Sequence, residues 1–297
     1  MPSEIGPLAL YRPRVIYDLL FRAATDTLAT FARDPRYFSA DTGGELGITA
    51  ILHTWGQNLS LHPHLHCVVT GGALASDGQS FVTLRHKGFL FPVRALAQVF
   101  RAKFLEGLRQ AFERGTLGDD TSVAALCGKL RRFDWVVYAK PPFAGPDSVL
   151  AYLGAYTHRI AISNHRILSL EQRRVAFRYR DYADGCKQKI LRLDVDEFIR
   201  RFLLHVLPRG FVRIRHYGLL ANRNRRQKIA RCRELLSAAE PQEPVQETVS
   251  EKLLRLTGID IHGCPACHEG RMLVVAEIDR PGRRPLHPIP VEIHDSS

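Results

Sequence analysis

The segment His62-Pro63-His64-Leu65-His66-Cys67-Val68-Val69 constrains this chain more than any other. In an extended strand successive side chains point to opposite faces. His64 and His66 therefore project together, while Leu65, Cys67 and Val69 anchor the other face in a core. Two imidazoles held side by side on a strand form half of a divalent-cation site. Ordinary hydrogen-bonded histidines are the competing reading, and the pair alone does not decide. Completing the site takes a third ligand, for which His53, Gln57 and His62 are candidates. His62 shares the face if the strand is already extended there, although Pro63 marks a strand start. Gln57 lies in the preceding strand-like run and can fold back beside the pair. An amide at that position leaves the cation open to water and phosphate oxygens, which suits Mg²⁺ or Mn²⁺. Gln57 is the working third ligand.

A second feature is Tyr152-Leu-Gly-Ala-Tyr156, on a helix that Asp147 or Ser148 can cap and that runs to about residue 160. Tyrosines four residues apart share a helical face. Such a pair is more often a buried stripe than a catalytic device. Facing the histidine strand, its meaning changes. A phenol that attacks phosphorus leaves a covalent phosphotyrosine, whose energy is kept for rejoining. A bound cation would stabilise the charge developing on the phosphate.

Periodicity supplies the frame. Val15, Leu19, Leu20, Ala23, Leu28 and Phe31 recur at helical steps, and Leu96, Phe100, Phe104 and Leu108 mark the buried side of a long helix from Pro92. Strand-like runs cover 47–57, 61–70 (closed by Gly71-Gly72), 134–140 and 211–217, with a hairpin pairing 166–170 with 175–180. Further helices are expected over 196–206 and 224–236. This order predicts an α/β (α+β) fold with a mainly antiparallel central sheet flanked by helices.

The net charge of +12 and pI of about 9.7 point to a polyanionic partner. Arginine guanidiniums fork onto phosphate oxygens. Arg223, Arg225, Arg226 and Lys228 on the last of these helices, with Lys87 and Arg159, are candidate DNA contacts; a solvated basic surface is the plainer alternative. Trp55 and Phe143 could stack on bases, though core packing is the commoner role for Trp55. No run approaches the roughly 20 apolar residues that span a bilayer. The start lacks a signal-peptide pattern, so a cytoplasmic location is expected. The six cysteines suggest no disulfide framework. Cys264-Pro-Ala-Cys267 is half of a zinc knuckle, with His262 and His268 nearby to complete four ligands for Zn²⁺; an unliganded thiol pair is the alternative. The acidic, proline-containing stretch 237–251 reads as a linker between a domain over 1–236 and a small tail over 252–297.

Taken together, HTWGQNLSLHPHLHCVVTGGAL (53–74) resembles the histidine–hydrophobe–histidine (HUH) region of rolling-circle insertion-sequence transposases with paired tyrosines. YLGAYTHRIAISNHRI (152–167) resembles the tyrosine segment of the same family. The resemblance covers roughly residues 4–236. It implies an HUH endonuclease fold that nicks and transfers single-stranded DNA at mobile-element ends. It also makes His64 and His66 metal ligands and Tyr152 and Tyr156 nucleophiles. Related replication-initiator nucleases place an acidic ligand seven residues before the pair; here Gln57 departs from that. Family members also carry an N-terminal zinc-binding domain and a first sheet strand with no counterpart here, so a truncated catalytic domain, retaining DNA binding if inactive, is a further expectation.

Overall fold

The computed structural model describes residues 1–86, 88, 90–117, 122–157, 161–182, 184–239, 247–267, 269–273 and 275–276. The chain divides into two compact units, Met1–Ala239 and Glu240–Ser297.

The first unit opens with helices α1 (Gly6–Tyr11) and α2 (Pro13–Ala32). Both have proline in the first turn, where a missing N–H costs nothing and φ is already helical. Strands β1 (Gly44–Trp55) and β2 (Leu61–Ala75) follow, then β3 (Phe81–Thr83) and helix α3 (Val93–Glu113). Next come α4 (Ser122–Leu130), α5 (Pro146–Thr157), the strands β4 (Ile167–Glu171), β5 (Arg174–Asp181) and β6 (Lys187–Asp194), and α6 (Val195–Leu203). Strand β7 (Ile214–Gly218) and helix α7 (Arg225–Leu235) complete the described elements of this unit.

The central sheet has the order β3-β2-β1-β7 and a second sheet the order β4-β5-β6. Every pairing is antiparallel. The expected mainly antiparallel sheet flanked by helices is therefore present. Register decides what each face carries. Ala50 pairs with Cys67 and Leu52 with Leu65, and this face packs on Ile16, Leu19, Leu20, Phe104 and Leu108 of α2 and α3. On the other face Ile51 pairs with His66 and His53 with His64. The helical core thus fixes the strand that presents the imidazoles on its far side. Val175, Phe177 and Leu193 of the second sheet pack with Leu59, in the turn between β1 and β2, and with Trp55.

Two expectations need correction. Gly71-Gly72 does not end β2, which continues to Ala75. A Cβ on Gly72 would stand 2.5 Å from Phe81 Cε1 and 2.7 Å from the Val82 carbonyl, so this glycine lets β3 lie against the strand. The run 134–140 is no strand. Its alternation is real, with Trp135 buried and Val136 and Tyr138 90% and 78% exposed, but no ladder partner flanks it among the described residues. It is held by side chains instead: Trp135 packs on Phe100 and Phe104 and donates its indole N–H to the Leu130 carbonyl. In the second unit, α8 (Val249–Thr257) starts inside the stretch read as a linker. Thr248 and Glu251 form a reciprocal capping box there.

Gly218 closes β7 with φ +60°, and a Cβ there would lie 1.8 Å from the Leu46 carbonyl oxygen. Gly218→Ala is expected to destabilise the protein by more than about 1 kcal/mol. Gly210→Ala, at φ +75° but facing open space, should cost less. Urea unfolding of the two variants provides the comparison.

Candidate active site

His53 is 4% exposed and stands directly across the ladder from His64, with His66 one pleat further along the same face. One ligand nitrogen from each of the three lies within 4.8 Å of the others. Hydrogen bonds assign two tautomers, because a carbonyl can only accept. His64 donates Nδ1–H to the His62 carbonyl at 2.7 Å, which leaves the lone pair on Nε2. His53 donates Nε2–H to the Tyr156 carbonyl at 2.9 Å, which leaves the lone pair on Nδ1. Trp55 stacks on the His53 ring at 4.4 Å and fixes its plane.

Burial holds the His64 imidazole below its ordinary range. The same cause pushes His66 down to about 3, with the charges of His53, His64 and Lys140 adding to it. Rings of this kind stay neutral at physiological pH and keep lone pairs to give. The donor set fits a divalent metal ion, which His53, His64 and His66 together could hold.

Helix α5 brings the tyrosines to the same place. No residue of α5 is buried; the helix is held by rings and by its end. Tyr152 and Tyr156 lie with ring centroids 4.3 Å apart. The Tyr156 ring is 4.2 Å from His66 and close to parallel with His53 at 5.4 Å. The Tyr152 hydroxyl is 2.9 Å from His66 Nδ1, and Phe143 meets the Tyr152 ring edge-on at 5.3 Å. Burial raises the Tyr152 phenol to about 12, with Tyr156 and Cys67 contributing, so it is protonated at neutral pH. When Nδ1–H of His66 donates to the phenolic oxygen, the Nε2 lone pair is left for a cation. Carbonyls in the last helical turn have no intrahelical partner. Here Tyr156 accepts from His53, and Thr157 accepts from the Arg213 guanidinium, whose positive charge suits a helix C-terminus.

The remaining expected residues are distributed as follows. Gln57 lies two residues past the end of β1, in the turn, where its carbonyl accepts from Arg166. It therefore has no place in the ladder that sets His53 opposite His64. His62 is exposed beside His64, with ring centroids 5.2 Å apart. Trp55 stacks in the site, as above, and also packs with the second-sheet core. Arg223, Arg225 and Arg226 are exposed, whereas the Lys228 ammonium is bonded to Glu45. Lys87, Arg159 and His268 lie outside the described residues. Lys140 was not anticipated; its only signal was its place at the end of the alternating run 134–140. In the second unit Cys264 N–H donates to the Gly270 carbonyl at 2.8 Å, and Gly270 N–H donates to Cys267 Sγ at 3.4 Å. Backbone N–H groups of Gly270 and Glu269 hold the Cys267 thiol below its ordinary range. The His262 side chain is hydrogen-bonded to Ser250.

Comparison with known proteins places this site in context. Residues 47–228, which contain His53, His64, His66, Tyr152 and Tyr156, match the family described as "Putative transposase" (Y2_Tnp). The chain is 48% identical over 293 residues to "Putative transposase y4qJ" of Sinorhizobium fredii (strain NBRC 101917 / NGR234), covering 94% of this chain and 72% of that protein. It is 27% identical over 292 residues to "Transposase for insertion sequence element IS801" of Pseudomonas savastanoi pv. phaseolicola, covering 94% of this chain and 66% of that one. No solved structure matches. Among the described residues, no helix is long and apolar enough to cross a membrane.

The depressed imidazoles carry a pH signature. Below about pH 6.5 the unfolded chain binds protons that folded His64 and His66 refuse. Their contribution to stability is complete above that pH and is lost as the pH falls. The melting temperature of the metal-free protein should decline between about pH 6.5 and 4, and His66→Gln should make the decline shallower.

Proposed function

The chain belongs to the transposase family that it matches over residues 47–228, and on that premise we propose that its histidine–tyrosine site nicks and rejoins single-stranded DNA through a covalent 5′-phosphotyrosine. One observation carries the reading: the Tyr152 hydroxyl lies 2.9 Å from Nδ1 of a histidine that belongs to a three-imidazole cluster. A nucleophile and a metal-ligand set at that separation can act on one phosphate.

His53 Nδ1, His64 Nε2 and His66 Nε2 are the proposed ligands. Three nitrogen donors suit Mn²⁺ better than Mg²⁺, which prefers oxygen. The bound ion supplies Lewis-acid polarisation of the scissile phosphate. The rest of the chemistry falls to the chain. His66 Nδ1–H stabilises negative charge on the Tyr152 oxygen as it attacks phosphorus. The bond from phosphorus to the preceding 3′ oxygen breaks as the tyrosyl bond forms. Overall one proton passes from the phenol to the departing 3′ oxygen, and the net charge of the diester is unchanged. The reverse attack by a 3′-hydroxyl rejoins the strand. Tyr156, stacked beside the first tyrosine, is placed for a second attack. The exposed Arg223, Arg225 and Arg226 would contact DNA phosphates.

Labelled single-stranded DNA incubated with the protein and Mn²⁺ should yield a denaturation-resistant adduct that chelation abolishes. Tyr152→Phe should remove most of it, and the double Tyr152→Phe/Tyr156→Phe variant all of it. An adduct that persists in the double variant would mean that another nucleophile acts. Nicks without any adduct would mean that water does. His53→Ala and His64→Ala should each weaken Mn²⁺ binding at least tenfold, about 1.4 kcal/mol, and Gln57→Ala should leave it nearly unchanged.

The knuckle-like turn at Cys264 and Cys267 supports a second assignment. We propose that it binds Zn²⁺, with His262 and His268 as the remaining ligands. Elemental analysis should find one zinc per chain, lost in Cys264→Ser; a zinc-free native protein rejects the site.

A further inference from the structure

The outer face of the second sheet carries charge that its surroundings do not balance. Arg178 pairs with Ile190, Arg180 with Gln188 and Ala176 with Arg192. Strand alternation therefore puts Arg178, Arg180 and Arg192 on one face, opposite the buried Val175 and Phe177. All three arginines are exposed. Several other charges on and around this sheet are paired, while the exposed Glu171 stands across from Arg174 at the far end of the same face. Arg173 meets Asp196, Arg174 meets Asp194, and Lys189 meets Asp181 and Asp184. Arg200 and Arg201 share Glu197. Among the described residues, the three outer guanidiniums have no such partner, and the nearest cross-strand positions hold glutamine, isoleucine and alanine.

Same-face neighbours one step diagonally apart stand about 7–8 Å from one another, close enough for like charges to repel. That cost is offset when a polyanion lies across them, and the guanidinium fork matches phosphate oxygens. The chemistry of the face narrows the partner further. The same-face positions Ala176, Arg178, Arg180, Gln188, Ile190 and Arg192 hold no aromatic side chain, and the exposed Tyr182 lies just past the end of β5, so the arginine cluster itself offers no platform for stacked bases. Phosphate contact, which fixes position without reading sequence, is what remains.

We propose that this face docks the sugar–phosphate backbone of the DNA flanking the nicked position, whatever its sequence. The identity of the polyanion rests on the transposase reading. The face is tied to the site. Beneath it Phe177 packs with Leu59 and Trp55, and Trp55 stacks on His53. Arg166 donates both to the Arg178 carbonyl and to that of Gln57 in the hairpin turn. DNA held on the arginines is thereby referenced to the histidine hairpin through one layer of side chains.

The test compares the wild-type chain with the triple variant Arg178→Gln/Arg180→Gln/Arg192→Gln. Fluorescence anisotropy on a random 40-nucleotide DNA, single-stranded and as a duplex, is measured across a salt series. Each lost phosphate contact should lower the slope of log affinity against log salt by about 0.7 on single strands and about 0.9 on duplex. The triple variant should therefore lose about two to three units of slope. Arg173→Gln/Arg174→Gln, which removes paired charges from the same sheet, should change it little. Adduct formation on a short oligonucleotide spanning only the nick should survive in the triple variant. An unchanged slope in a folded triple variant overturns the proposal, as does loss of the short-oligonucleotide adduct, which would place the arginines at the chemistry itself. If the wild type forms no adduct yet the slope falls as expected, the nicking mechanism fails and this surface stands. A protein retained by acidic polypeptide but not by DNA would assign the face to another partner and reject the proposal.

Discussion

The hydrogen bond from His53 Nε2 to the carbonyl of Tyr156 ties the backbone of α5 to the histidine strands, alongside the contact between His66 Nδ1 and the Tyr152 hydroxyl. It answers two needs at once. The last turn of α5 has carbonyl oxygens with no partner of their own, and His53 satisfies one of them. In donating its Nε2–H to that carbonyl, the imidazole is fixed as the tautomer whose lone pair sits on Nδ1. Sheet and helix are therefore registered by the same ring that completes the donor cluster. Removing it would leave the Tyr156 carbonyl without this donor and the cluster one nitrogen short.

The register behind this arrangement is set on the opposite side of the sheet. Leu65 and Cys67 alternate with His64 and His66, and Leu52 and Ala50 across the ladder pack on α2 and α3. A slip of one residue would turn the imidazoles into the helical core and the apolar side chains out of it. The core thus specifies the site without touching it. Low affinity of the buried rings for protons follows from the same enclosure.

Much of this was legible in the sequence, and the limits were physical. Period-two alternation placed the histidines on one face, and the four-residue step placed the tyrosines on another, because both patterns are local. His53 was visible as one of three candidates for the third ligand, with Gln57 and His62, but nothing local ranked it first. That His53 stands opposite His64 while Gln57 falls in the turn is a matter of ladder register, which depends on where the turn between β1 and β2 begins. Periodicity also overreached at 134–140. Alternate burial there reports an extended backbone, whereas a strand further needs a neighbour to bond with, and no local pattern encodes that neighbour. The strand β6 went unassigned because its lysines and arginine interrupt any apolar alternation, and the adjacent Ile190 and Leu191 fall on opposite faces.

Helix α5 differs from α2 and α3 in how it is retained. Those two bury continuous apolar seams, whereas α5 has no buried residue and is kept by ring stacking and by two capped carbonyls. Detaching such a helix exposes little oily surface to water and leaves the main core intact. The contacts that hold such a segment are separate from those that hold the rest of the fold, so loosening the one need not unmake the other.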